Sequence, residues 1–321
     1  MITPITVGIV AGVLANLLYV RTARHFQIFD IPNARSSHTA ITPRGGGLVF
    51  VIVITIYSLL NDKTNFALLL GSLMVAGIGY LDDLKGVSAK NRFGVHSLAA
   101  LGFCATQWIA PSTPLMGTGV LVALFLIIYS VNTFNFIDGI NGILGSVCLT
   151  GVVWILLAQT KYSANGLTQL LILLAILLSV FLVFNWTPAK LFMGDVGSGY
   201  LGFFIPVISI IIFGCSLESI LSLTILFLPI YVDCAVTLIQ RLIRHENIFE
   251  AHRSHFYQRL SHRWNSHSKV SILYAGYTAL IAGPVFYWTI RYNLNLTERL
   301  VGIVVVSAPI AFACSFVSRK T

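Results

Sequence analysis

Long apolar runs limit what this chain can fold into more than any other feature. They fall near residues 3–19, 46–60, 66–80, 94–110, 119–133, 140–158, 167–184, 199–213, 219–238, 270–290 and 300–317. Such runs suit helices crossing a hydrocarbon core about 30 Å thick, and in lipid a helix satisfies every backbone polar group within itself. Some runs are short, so the expectation is about eleven spans, give or take one. Composition agrees: 56% of the 321 residues are hydrophobic and 10% charged, against roughly 25% charged in a soluble domain. The expected fold class is all-α, one polytopic integral-membrane domain over residues 1–321, with no internal repeat.

Charge gives the orientation. Sixteen of the twenty Lys and Arg lie in alternate loops and only Lys63, Lys161, Arg291 and Arg299 in the others. The basic side is expected to face the cytoplasm, with the N-terminus outside and the C-terminus inside. The net charge of +9 therefore reflects topology and suits anionic lipid or substrate, with no need of nucleic acid. Arg21 and Arg24 follow the first run, which reads as an anchor and not a cleaved signal. The five cysteines show no CxxC or zinc spacing.

The stretch 184–198, FNWTPAKLFMGDVGS, lies between two apolar runs. Pro188, Gly194 and Gly197 break helix, making it a loop. Its one acid, Asp195, stands at the mouth of two hydrophobic spans, which is costly without a cation, a partner or water. A metal ion at Asp195 is the expectation, with the other loops of that side gathered around it.

Those loops carry the remaining polar signals. In RSSHTAITPRGGG, the glycines 45–47 enter an apolar run beside Arg35, His38 and Arg44; they read either as a flexible helix start or as a backbone cradle for phosphate. Asp82 and Asp83 repel one another unless a cation is near, and Lys85, Lys90 and Arg92 follow. Asn132, Asn135, Asp138 and Asn141 recur every three residues and at helical spacing share one face. A ligand site is favoured there over interhelical glue, because amide and carboxylate oxygens suit a hard cation or a nucleobase edge. The longest polar stretch, 241–269, interleaves His245, His252, His255, His262 and His267 with arginines. It reads as a membrane-surface segment or a phosphate and sugar clamp, and Asp233 is expected to partner its arginines.

In that order, RSSHTAITPRGGG, LDDLKG, NTFNFIDGING, FNWTPAKLFMGDVGSGYLG and HRSHFYQRL resemble the polyprenyl-phosphate N-acetylhexosamine-1-phosphate transferase family over nearly the whole chain. The resemblance implies transfer of sugar 1-phosphate from a UDP-N-acetylamino sugar to undecaprenyl phosphate in the bacterial inner membrane, with Mg²⁺ or alternatively Mn²⁺. It implies metal ligands at Asp195 and Asn135, and catalytic roles for Asp82, Asp83, Asp138 and His255. It implies a nucleotide pocket of Gly139, Ile140, Asn141, Asn185 and Phe192, with Phe192 stacked on the base. Arg253, His252, Arg44, Lys90 and Arg92 would bind phosphate and sugar.

Two departures stand out. The family's DGxDG is DGING here, with Asn141 for the second acid, and its HxHH is HFYQ, which keeps only His255 of that cluster. The missing histidines argue against a muropeptide substrate, and HRSHFY resembles the O-antigen-initiating branch. A transporter or lipid flippase with an anion-binding face is the reading from outside enzymology; a homodimer stays open, because lipid-facing and protein-facing apolar surfaces look alike in sequence.

Overall fold

The computed structural model describes residues 4–32, 40–60, 65–108, 114–161, 165–247 and 252–318. Arg35, His38 and the 248–251 part of the fifth polar loop lie outside them. The helices are α1 (Pro4–His25), α2 (Leu48–Leu59), α3 (Phe66–Lys85), α4 (Ala89–Trp108), α5 (Pro114–Ile137), α6 (Ile143–Ala158), α7 (Asn165–Asn185), α8 (Gly194–Phe213), α9 (Leu217–Ile243), α10 (Phe256–Trp264), α11 (His267–Tyr277), α12 (Gly283–Arg291) and α13 (Leu296–Ser318). A π-helical turn, Thr278–Ala282, joins α11 to α12. Two short strands, β1 (Phe29–Asp30) and β2 (Thr42–Pro43), pair antiparallel with Phe29 opposite Pro43.

Within the described residues each apolar run overlaps a helix, the tenth the α11–α12 stretch. Among the described residues, seven helical stretches are long and apolar enough to cross a membrane; α2 and α6 are shorter apolar helices. The protein is thus a nearly all-helical, multi-pass membrane protein.

Local signals set the boundaries. The Asn65 side chain accepts from Leu68 N at 3.1 Å and starts α3, and Gly86, at φ 70°, ends it. The Ser216 hydroxyl likewise accepts from Ser219 N and starts α9. One boundary corrects the sequence reading: α5 stops at Ile137, so Asp138 and Asn141 lie in the turn to α6, not on a helix face with Asn132 and Asn135. Asn132 itself donates to Ile128 O, one turn back on its own helix.

The fold is centred on α8. Every residue from Val196 to Ile210 is buried, and α8 packs chiefly between α3 and α5. Such contact requires small residues: a Cβ on Gly202 would come within 2.7 Å of Val131 Cα and 2.9 Å of Ser130 O on α5. At the end of the bundle away from the polar loops, Arg299 is 2% exposed. Its guanidinium donates to Glu218 O and Leu294 O at 2.6 Å each and to Ser222 Oγ at 2.5 Å, which ties α13 to α9.

Gly202→Ala should lower the melting temperature by the equivalent of about 1–3 kcal/mol, the usual cost of overpacking. Gly102→Ala on α4, where nothing lies within 4 Å, should be neutral or stabilising by up to about 1 kcal/mol through helix propensity. Thermal melting of the two variants in detergent checks the contrast.

Candidate active site

The site begins with Asp83, which is 5% exposed. Its Oδ1 accepts from Asp195 N and its Oδ2 from Val196 N, both at 3.1 Å. The C-terminal end of α3 thereby caps the N-terminus of α8, where unpaired donors and the helix dipole favour an anion. Arg44 closes the other side: its Nε lies 3.7 Å from Asp83 Oδ1, its Nη2 donates to Asp83 O, and its own carbonyl accepts from Tyr19 OH at 2.9 Å.

Asp82 is the next residue on α3, about 100° round the helix, and points elsewhere. It accepts from Val87 N and from Arg92 Nη1, both at 2.5 Å. The same nitrogen donates to Asp195 Oδ2 at 2.6 Å. Asp82 and Asp195 therefore meet across one guanidinium. Lys90, two residues before Arg92, is exposed.

The Gly-rich loop does not offer its backbone to an anion. Gly46 N and Gly47 N donate to Phe192 O and Met193 O at 2.9 Å each, and Phe192 N donates to Pro43 O at 2.8 Å. RGGG and FMGD are two backbones zipped together. Gly47 touches Gly197, and a Cβ there would overlap Gly197 Cα. These glycines serve close packing, which corrects the phosphate-cradle reading at 46 and 47.

The α5–α6 turn holds the nucleotide candidates. Gly139 lies against the Tyr257 hydroxyl, which donates to Phe136 O at 2.8 Å; Ile140 is buried. Asn141 donates from its backbone to His267 Nδ1 at 3.3 Å and from its amide to Thr187 Oγ1 at 3.4 Å. Asn185 fastens the turn: its oxygen accepts from Gly142 N at 2.8 Å and its nitrogen donates to Leu191 O at 2.9 Å. Both ends of that buried amide are in use. Phe192 is half-buried. Asn135 Nδ2 donates to Ser198 Oγ at 3.2 Å, which brings α5 to the first turn of α8. Burial pushes the Asp138 carboxyl well above the ordinary range, and the nearby Asp195 and Asp83 carboxylates push it the same way.

In the HRSHFY segment, Arg253 is exposed and His252 half-buried. His255, 3% exposed, stacks on Phe136 and Tyr257, with its Nδ1 3.8 Å from Asp233 Oδ1. Asp233 does not pair with the loop's arginines, a further correction. It accepts from Phe256 N at 2.8 Å, Tyr257 N at 3.0 Å and Tyr274 OH at 2.5 Å. A fully buried carboxylate so deep in α9 pairs with the nearest donors, which are the first N–H groups of α10. Sequence reasoning missed Tyr257, Tyr274 and Tyr19; the one available signal was the place of Tyr257 within HRSHFY.

The donors around Asp195 are all hard oxygens, from Asp82, Asp138, Asp195 and the Asn135 amide. Among the described residues no three His, Cys, Asp or Glu side chains are gathered into a metal cage. Mg²⁺ needs none: it is held by one or two carboxylates with substrate phosphates and water completing the shell. Oxygen ligands of this kind suit a hard divalent cation.

Residues 65–213 match the model of glycosyl transferase family 4. The chain is 33% identical to phospho-N-acetylmuramoyl-pentapeptide-transferase of Thermotoga neapolitana, over 53% of this chain and 60% of that protein. It is 30% identical to the Streptococcus agalactiae protein of the same name, over 65% of this chain and 73% of that one. It is 27% identical to a probable undecaprenyl-phosphate N-acetylglucosaminyl 1-phosphate transferase of Bacillus subtilis, over 84% and 80%. The match to the Thermotoga protein spans less than two thirds of that protein's length. The chain belongs to glycosyl transferase family 4, the polyprenyl-phosphate N-acetylhexosamine-1-phosphate transferases.

The two aspartates of α3 should separate in experiment. Asp83→Ala should cost about 1–2 kcal/mol of stability, the range for a lost helix cap. Asp82→Ala should cost less, since Arg92 keeps Asp195. Melting without substrate checks this, and equal losses would overturn the division. His252 gives a pH test. Burial, then the charges of His255 and Arg241, pull it from 6.5 to about 4. The folded state thus binds this proton less well than the unfolded chain, so its share of stability is full above pH 6.5 and declines as pH falls toward 4. The melting temperature of His252→Gln should therefore fall less than wild type across that window.

Proposed function

We propose that this protein transfers N-acetylamino-sugar 1-phosphate from a UDP-sugar to undecaprenyl phosphate, releasing UMP, as the initiating step of O-antigen or a related cell-envelope polysaccharide. The observation that carries the reading is the meeting of Asp82, Asp195 and Arg92 at one end of a helical membrane bundle in a family of polyprenyl-phosphate transferases. The relatives' names include both muropeptide and N-acetylglucosaminyl enzymes. The HFYQ sequence, which lacks the muropeptide enzyme's histidines, favours the N-acetylamino-sugar branch.

In this reaction a lipid phosphate oxygen attacks the sugar-bearing phosphorus of UDP-sugar, and the bond from that phosphorus to the bridging oxygen breaks, so UMP leaves with the bridge. Lipid phosphate, with a second pKa of about 6, is mostly dianionic at neutral pH, so a strong base is unnecessary. The main obstacle is repulsion between two anions. Asp195 with Asn135 would hold Mg²⁺, which would supply charge neutralisation on the diphosphate. Arg92 and Arg253, with Lys90, hold phosphate oxygens. Asp82 orients the acceptor or takes its residual proton; Asp83 acts through the α8 terminus it caps and is a positioning residue. The Gly139–Asn141 turn and Phe192 receive the uracil.

This reading places the eleven runs as spans, the N-terminus outside, and the site at the cytoplasmic face of the bacterial inner membrane, where nucleotide sugars are made and the lipid tail can lie between helices. The test is UMP release by the purified protein with undecaprenyl phosphate, Mg²⁺ and a panel of UDP-amino sugars. Release that needs the lipid, and that falls at least about 10²-fold in Asp195→Ala, supports the proposal. Lipid-independent or Asp195-independent release overturns it, and so does none with any sugar.

A further inference from the structure

Arg92 contacts two acids through one nitrogen, and that geometry has a consequence for loading the site. Nη1 lies 2.5 Å from Asp82 Oδ2 on α3 and 2.6 Å from Asp195 Oδ2 on α8. Two carboxylates held this close repel unless a cation stands between them. Asp83, which pairs with Arg44, lies close by as a third carboxylate. A divalent cation would bring twice the charge of the guanidinium to the same two oxygens. Yet Asp195 cannot give the same oxygen freely to a metal while Arg92 holds it.

Arg92 is also placed to let go. It sits on the first turn of α4, just after the 86–88 link that Gly86 opens at φ 70°. Its side chain is 28% exposed, so it can swing out without unpacking the core. We infer that Arg92 is a placeholder for the divalent cation: it closes the Asp82–Asp195 pair in the empty site, is displaced when the ion binds, and is thereby released to the diphosphate of the incoming nucleotide sugar. The inference rests on the transferase reading with a cation at Asp195. It couples the two ligands, because each removes the guanidinium from the state that excludes the other, and a ligand shifts such an equilibrium only by its differential affinity for the two states.

The experiment is Mn²⁺ titration of the full-length, chelator-stripped protein in detergent, with free ion read by electron paramagnetic resonance. If the closed pair holds the site about nine-tenths of the time, apparent affinity is lowered about tenfold. Arg92→Met should then bind Mn²⁺ about tenfold more tightly than wild type, Arg92→Lys should fall between, and Asp195→Asn should lose the site. Affinity in Arg92→Met equal to or weaker than wild type overturns the inference. Should Arg92→Met not be recovered folded, Arg92→Lys decides by the same comparison. UMP release by the same wild-type preparation separates the two levels: release without an affinity gain sinks the placeholder alone, and absence of release sinks the transferase reading beneath it.

Discussion

The first N–H groups of α8 open where an apolar bundle ends, and donors left unpaired in such a place cost several kcal/mol each. Asp83 accepts two of them. Because Asp83 sits on α3, the contact that satisfies α8 also fixes the register of α3 against α8, and with it the distance between Asp82 and Asp195. The side chains of adjacent helical residues diverge by about 100°, so Asp83 faces the helix terminus while Asp82 faces the opening and Arg92. One acid of the DD pair holds the frame and the other is left for chemistry.

Asp233 repeats the device. It too is a buried aspartate within one helix that receives two successive backbone N–H groups, Phe256 and Tyr257, from the start of another, α10. Tyr274 adds a third donor. The two aspartates anchor two segments that carry candidates: FMGD, with Phe192 and Asp195, and HRSHFY, with His252, Arg253 and His255. The zipping of RGGG against FMGD braces the first anchor from outside, and the stacking of His255 between Phe136 and Tyr257 braces the second. Polar residues that look catalytic in a list of motifs thus divide into those that hold the floor of the site and those that stand on it.

The helices were legible in the sequence because lipid forces apolar residues into runs, and the meeting of LDDLKG with FMGD was legible from the cost of stranding acids at span ends. The partners were not. Nothing in spacing tells that Gly46 and Gly47 give their N–H groups to Phe192 and Met193, since a glycine run reads the same whether a backbone or a phosphate approaches it. The three-residue recurrence of Asn132, Asn135, Asp138 and Asn141 read as one helical face, but α5 ends at Ile137 and the last two depart from that face. Asp233 read as an ion-pair partner for arginines because charge is visible in sequence and backbone donors are not.

The charge around the opening explains why cation and substrate belong together. Arg92 binds Asp82 and Asp195, Arg44 binds Asp83, and Asp138 lies close enough to feel the Asp195 and Asp83 carboxylates. The environment already disfavours a further negative charge: Asp138 is pushed toward its neutral form by burial and by its neighbouring carboxylates. A diphosphate entering alone would meet that same repulsion, so under the transferase reading it needs a cation to come in with it. Conversely, a cation entering alone finds oxygens already taken by Arg92. A site with surplus acid and a resident arginine is therefore poorly suited to either ligand singly and better suited to both, which is the arrangement a reaction between two anions requires.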